Sequence, residues 1–222
     1  MKTKIFLVFI VSGLFFSACK KDKDEVIKEP IFENGILNLQ NFAASLPPYA
    51  RVIVEHPSES PDAYFNVSLS NASILDGVSP GWCIQTGVGI SPGSKTTTTV
   101  YSSYANIPGY DKLFFIRLNW IINQKFIEKG FNYGEIQIAI WTLKHGYTLF
   151  DENVKSELDN TRPPNLFDPD SIGDWDEEKV NEILSLASGI SDYVPGIGGL
   201  IGVIFISEEN QDLMVEYTLP AN

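Results

Sequence analysis

The residue type best suited to chemistry in this chain is cysteine, and there are two, Cys19 and Cys83. A thiolate is a strong nucleophile, and an unpaired cysteine in a secreted protein calls for an explanation. Other chemistry finds little support. The two histidines, His56 and His145, lie far apart, and HExxH, CxxC and phosphate-loop patterns are missing from the sequence. No nucleophile–base pair stands out, so a turnover enzyme is not expected. The acidic residues Asp168, Asp170, Asp174, Asp176, Glu177 and Glu178 do not have the spacing of a calcium loop. They read as a solvated face and helix cap, and no metal or cofactor is expected.

What surrounds each cysteine decides its role. Lys2 and Lys4 precede an apolar run from Ile5 to Phe16, which closes on the small residues Ser17 and Ala18. This is the layout of a signal peptide over residues 1–18, too short to span a bilayer, which takes about 20 apolar residues. The segment Phe16-Ser17-Ala18-Cys19 resembles the lipobox of bacterial lipoproteins. That resemblance implies a lipidated Cys19 as the first mature residue, with palmitate-type acyl chains tethering the chain to the membrane. The charged stretch at residues 19–30 reads as a flexible tether. It resembles the surface-export signals of Bacteroidetes lipoproteins, which implies an outer-membrane, cell-surface location; a periplasmic face is the alternative. With Cys19 acylated, Cys83 has no partner left in its own chain.

Residues 31–222 have the length and composition of one globular domain. Removing the signal peptide leaves 14 basic against 28 acidic residues, a net charge of −14. Such a balance disfavours nucleic acid, or an anionic lipid surface, as a partner.

Cys83 and its neighbours must be positioned by mixed elements. Alternation predicts strands around Val52 and Val54 and over Phe65–Leu69. Asp76-Gly77 and Pro80-Gly81 read as turns, Trp82-Cys83-Ile84 as a short strand after the second, and Thr96–Tyr101 as another strand. Asp111–Lys129 has helical spacing with Gly130 as its stop. Asn132 and Glu135 form a capping box for a helix carrying Ile136, Ala139, Ile140 and Leu143, with Gly146 at its end. Residues 151–174 read as an exposed loop. Asp174 and Glu177 are expected to cap a helix from Trp175 to Ser188. Gly199–Ile206 and Leu213–Leu219 read as a hairpin around Ser207–Asn210. The expected fold class is α+β, a β-sandwich or barrel core with an inserted helical subdomain from about Asp111 to Gly189.

Three stretches together resemble the thioester domains of bacterial surface proteins. They contain Trp82-Cys83-Ile84, then Gln137-Ile138-Ala139-Ile140-Trp141, then Pro195-Gly196-Ile197-Gly198 before an apolar strand. The likeness runs from about Tyr64 to Pro220. Trp82 stands where Tyr or Phe is commoner in that family, and Ile136 where Thr is frequent. The resemblance implies an internal thioester between the Cys83 sulfur and the Gln137 side-chain carbonyl. It also implies an adhesin that attaches covalently to an amine or hydroxyl on a host or envelope target, protein or glycan. Trp82, Trp141 and Tyr133 would shield the bond, since Trp141 and Tyr133 each lie one helical turn from Gln137. His145, two turns on, reads as a dipole-favoured residue at the helix end.

Two readings compete with this. Cys83 could be a small buried hydrophobe, on a module that binds a glycan or peptide non-covalently through Trp82, Tyr101, Tyr104 and Tyr110. A structural envelope lipoprotein is the other.

Overall fold

Alternating apolar residues and turn chemistry give this chain its strands, and the strands close on themselves. The computed structural model describes residues 31–33, 36–55, 63–85, 92–145 and 175–220. The signal peptide, Cys19, the tether, His56, Gly146 and residues 151–174 lie outside the described residues.

A small ribbon, β1 (Phe32–Glu33) with β2 (Ile36–Leu37), leads into helix α1 (Leu39–Ser45). The Asn38 side chain caps α1 by accepting from the backbone N–H groups of Gln40 and Asn41. Neither the ribbon nor α1 is foreseen from the sequence. Six antiparallel strands follow: β3 (Tyr49–Glu55), β4 (Phe65–Ser70), β5 (Gly77–Cys83), β6 (Lys95–Ser102), β7 (Leu200–Ile206) and β8 (Leu213–Thr218). They form a closed barrel in the order β3-β4-β5-β8-β7-β6, with β6 returning to β3. Closure leaves the ring without a free edge. Helices α2 (Lys112–Ile122), α3 (Tyr133–His145) and α4 (Glu177–Ser188) all fall between β6 and β7 in the chain. The architecture is α+β, a barrel core with an inserted helical layer.

Pro80-Gly81 is not a turn: both residues lie inside β5. Proline is tolerated here because pairing with β8 begins only at Gly81. Gly81 is needed because a Cβ there would stand 2.5 Å from Val67 Cγ2 and 3.0 Å from the Phe65 ring.

The helical run expected to reach Lys129 stops at Ile122. Its last polar side chains are turned to the barrel instead. Asn123 Oδ1 accepts from Leu200 N (2.8 Å) and its Nδ2 donates to Leu200 O (2.7 Å). One turn earlier, the fully buried Asn119 accepts from Gly202 N (2.8 Å) and donates to Ser103 Oγ (2.9 Å). These bonds lie where β7 runs on beyond the end of β6, so the amides of α2 stand in for the missing strand.

The capping box of α3 is present. Glu135 Oε2 accepts from Asn132 N (2.7 Å), and Asn132 Oδ1 accepts from Glu135 N (2.9 Å). The other carboxylate oxygen accepts from Asp176 N (3.1 Å) and faces Lys179 Nζ at 3.6 Å. Asp176, not Asp174, caps α4. One buried carboxylate therefore joins the starts of two helices. Replacing Glu135 by alanine is expected to cost about 2–3 kcal/mol, since it removes a cap and orphans buried donors. Urea unfolding checks this, with the exposed Glu182→Ala as a reference expected to stay within about 0.5 kcal/mol.

Candidate functional site

Cys83 is the last residue of β5 and is 1 % exposed. Ile84 N donates to Asp212 O (3.1 Å), toward β8. The Cys83 peptide groups, one residue earlier, point the opposite way, to a flank where β4 has not yet begun. Gln137, wholly buried on α3, fills that gap. Its Oε1 accepts from Cys83 N (2.9 Å) and its Nε2 donates to Cys83 O (2.8 Å). The side-chain amide acts as one more peptide in the ladder, as Asn123 does on β7.

The structure thus brings together two residues 54 positions apart, but through the cysteine's backbone. The thiol itself meets a different glutamine. Cys83 Sγ donates to Gln211 Oε1 at 2.9 Å, across 128 residues of sequence. Gln211 is 6 % exposed and immediately precedes β8, which pairs with β5 up to Cys83↔Leu213. Its Nε2 donates to Gln85 O. A carbonyl bond is about 1.23 Å long, so the Gln211 side-chain carbon lies within about 4.1 Å of the sulfur. Sequence reading missed Gln211, whose neighbours read only as a turn.

The energetics separate the two glutamines. For Gln137 to acylate the thiol, its carbonyl carbon would have to turn to the sulfur and its amide nitrogen would leave, taking the donor from the buried Cys83 O, at about 1–3 kcal/mol. Gln211 already presents its carbonyl to the sulfur. Burial pushes the Cys83 thiol well above its ordinary pKa, so the neutral S–H faces that carbonyl.

The expected shielding residues occupy different sides. Trp82 and Cys83 are consecutive on β5 and project to opposite faces. Trp82 is 2 % exposed and its indole N–H donates to Glu216 Oε1 (2.7 Å). On α3, Trp141 is buried and its indole N–H has no partner among the described residues. The link between Trp141 and Tyr133 is Tyr64, which the sequence did not single out. The Tyr64 ring centroid lies 5.8 Å from Trp141, edge-on, and 6.3 Å from Tyr133. Burial raises the Tyr64 pKa far above the usual phenol value, and the neighbouring Cys83 and Tyr133 add to it.

Tyr104 and Tyr110, also named as binding aromatics, spend their hydroxyls internally, on Tyr193 O (2.5 Å) and Asp212 Oδ2 (2.7 Å). Tyr101 is half-buried. Among the described residues no cluster of His, Cys, Asp and Glu could hold a metal, and no helix is long and apolar enough to cross a membrane.

Buried phenols make the fold sensitive to base. Tyr64, Tyr104 and Tyr110 all have raised pKa values, chiefly through burial. Unfolded tyrosine ionises near about 10. Their contribution is intact below that pH and lost above it, because only the unfolded chain can release the protons. Tyr64 alone should remove about 1.4 kcal/mol per pH unit above about 10. Urea midpoints taken between pH 8 and 11.5 check this; a flat profile above about 10 contradicts it.

No protein-family model matches this chain, and a search of curated proteins returns no match. Among solved structures, the chain is similar to the N-terminal domain of the Streptococcus pyogenes pilus tip adhesin Cpa. Identity there is 15 %, over 78 % of this chain and 94 % of that one, with a TM-score of 0.45. It is similar too to the N-terminal thioester domain of a surface protein from Clostridium perfringens, at 12 % identity over 77 % of this chain and 99 % of that one, TM-score 0.45.

Proposed function

We propose that this chain forms an internal thioester between the Cys83 sulfur and the side-chain carbonyl of Gln211, and uses it once to attach covalently to a target. The observation that carries the reading is the 2.9 Å approach of Cys83 Sγ to Gln211 Oε1 in a site both residues bury. The motif resemblance around Cys83 and Trp141 supports it, with Gln137 reassigned to holding the cysteine's backbone.

The chemistry balances without a co-reactant. Sulfur attacks the Gln211 carbonyl carbon while the thiol proton passes to the carbonyl oxygen it already faces. The tetrahedral adduct then expels the amide nitrogen, which leaves as ammonia carrying that proton. What remains is an acyl group on a good leaving sulfur. An incoming amine or hydroxyl takes the acyl group, and its proton returns to sulfur as the thiol. The chain is consumed rather than turned over.

The biological role that fits is an adhesin-like surface protein held by lipid on Cys19. Incorporation of labelled palmitate, lost in Cys19→Ala, tests the anchor. Intact mass tests the bond: the folded chain should lack one ammonia, and methylamine should replace it. Because methylamine stays on the carbonyl that carried the thioester, peptide mapping distinguishes Gln211 from Gln137. A chain with its full mass and a thiol that titrates after unfolding sinks the proposal.

A further inference from the structure

The residue after Gln211 is bonded through its backbone and its side chain alike. Asp212 N donates to Gln85 Oε1 (3.1 Å), and Asp212 O accepts from Ile84 N (3.1 Å). The carboxylate uses both oxygens: Oδ1 accepts from Ser207 N (3.1 Å) and Oδ2 from Tyr110 Oη (2.7 Å). Tyr110 is itself held by its neighbours. Its ring stacks on Phe114 at 6.2 Å and meets Phe115 tilted at 5.2 Å, and Lys144 Nζ sits 3.8 Å from the ring centroid while donating to Gly109 O (2.9 Å). A chain of contacts thus runs from α2 and α3 through Tyr110 to the residue beside Gln211. Gln85 acts at the same point from β5, its side chain on Asp212 N and its backbone carbonyl on the Gln211 amide nitrogen.

We infer that Tyr110 and Gln85 are positioning residues for the acyl transfer: through Asp212 they hold Gln211 at the distance from which the thiol can attack. This rests on the Cys83–Gln211 reading above. Neither residue touches the reacting atoms with its side chain, so its effect is on geometry, and a misplacement of about 1 Å can cost about a hundredfold in rate.

The test follows ammonia loss by intact mass over time in the full chain made by cell-free synthesis and sampled at intervals after synthesis. Tyr110→Phe and Gln85→Ala are expected to slow ammonia loss on the order of tenfold or more. Gln85→Glu keeps the acceptor for Asp212 N and is expected to restore most of the rate. Tyr104→Phe removes an equivalent buried phenol bond, to Tyr193 O, and is expected to lower stability without slowing the reaction. If Tyr110→Phe and Gln85→Ala both react at the wild-type rate, the inference is overturned. The same holds if rate loss tracks the fall in stability across all four variants, Tyr104→Phe included. If the wild-type chain never loses ammonia, the underlying thioester reading fails instead, and the two failures are told apart.

Discussion

Replacing Gln211 by alanine is expected to abolish ammonia loss and methylamine uptake, at least about a hundredfold below wild type, while the barrel still folds. The Cys83 thiol would then titrate as a free thiol once the chain is unfolded. The size of the effect follows from geometry. Gln211 is the side chain whose carbonyl meets the sulfur, and the other glutamine near Cys83 has both ends of its amide bonded to backbone. The fold survives because Gln211 lies outside β8, and its bonds to Cys83 and Gln85 are the ones lost. Gln211→Glu should behave alike, because a carboxylate is not open to attack by a thiol. Intact mass and thiol titration of the three proteins decide it. Full reactivity in Gln211→Ala would rule the residue out.

Gln137→Ala is expected to strike the fold itself. It strips the partners from the N–H and C=O of Cys83, both buried, at a combined cost of about 2–6 kcal/mol. That is a large part of the roughly 5–15 kcal/mol by which a domain is stable. Gln137→Glu gives a sharper version. A glutamate there can accept from Cys83 N, but only its protonated form can also donate to Cys83 O. Its folded pKa should rise above the unfolded value of about 4.3. Its stability is then present below about pH 4.3 and lost as pH rises through the folded pKa. Urea unfolding of Gln137→Glu and wild type at pH 4 and pH 7 is the measurement. A variant with the same deficit at both pH values would show that Gln137 does not serve as the cysteine's backbone partner.

Local pattern made several elements legible. Phe65, Val67 and Leu69 alternate with polar residues and form β4, and the Asn132–Glu135 spacing marks the start of α3. The misreadings share one cause, which is that a distant segment settled the matter. Pro80-Gly81 looks like a turn until β4 packs close enough to demand a glycine. The helix after Asp111 looks long until Asn123 turns to β7. Cys83 could be recognised as the residue to watch, because its composition argument needs only the sequence. The approach of Gln211 to its sulfur could not, because that arises from the register of β5 on β8. Tyr64 was hidden for the same reason: it stands just before β4, and α3 alone reveals what its ring meets.

The position of β8 has a mechanical consequence. It lies between β5 and β7 and is paired on both flanks. A pull applied at residue 211 enters the barrel along that strand, and the strand can leave only by shearing two ladders at once. Their hydrogen bonds resist such a load together, rather than opening one after another as in a peeled edge strand.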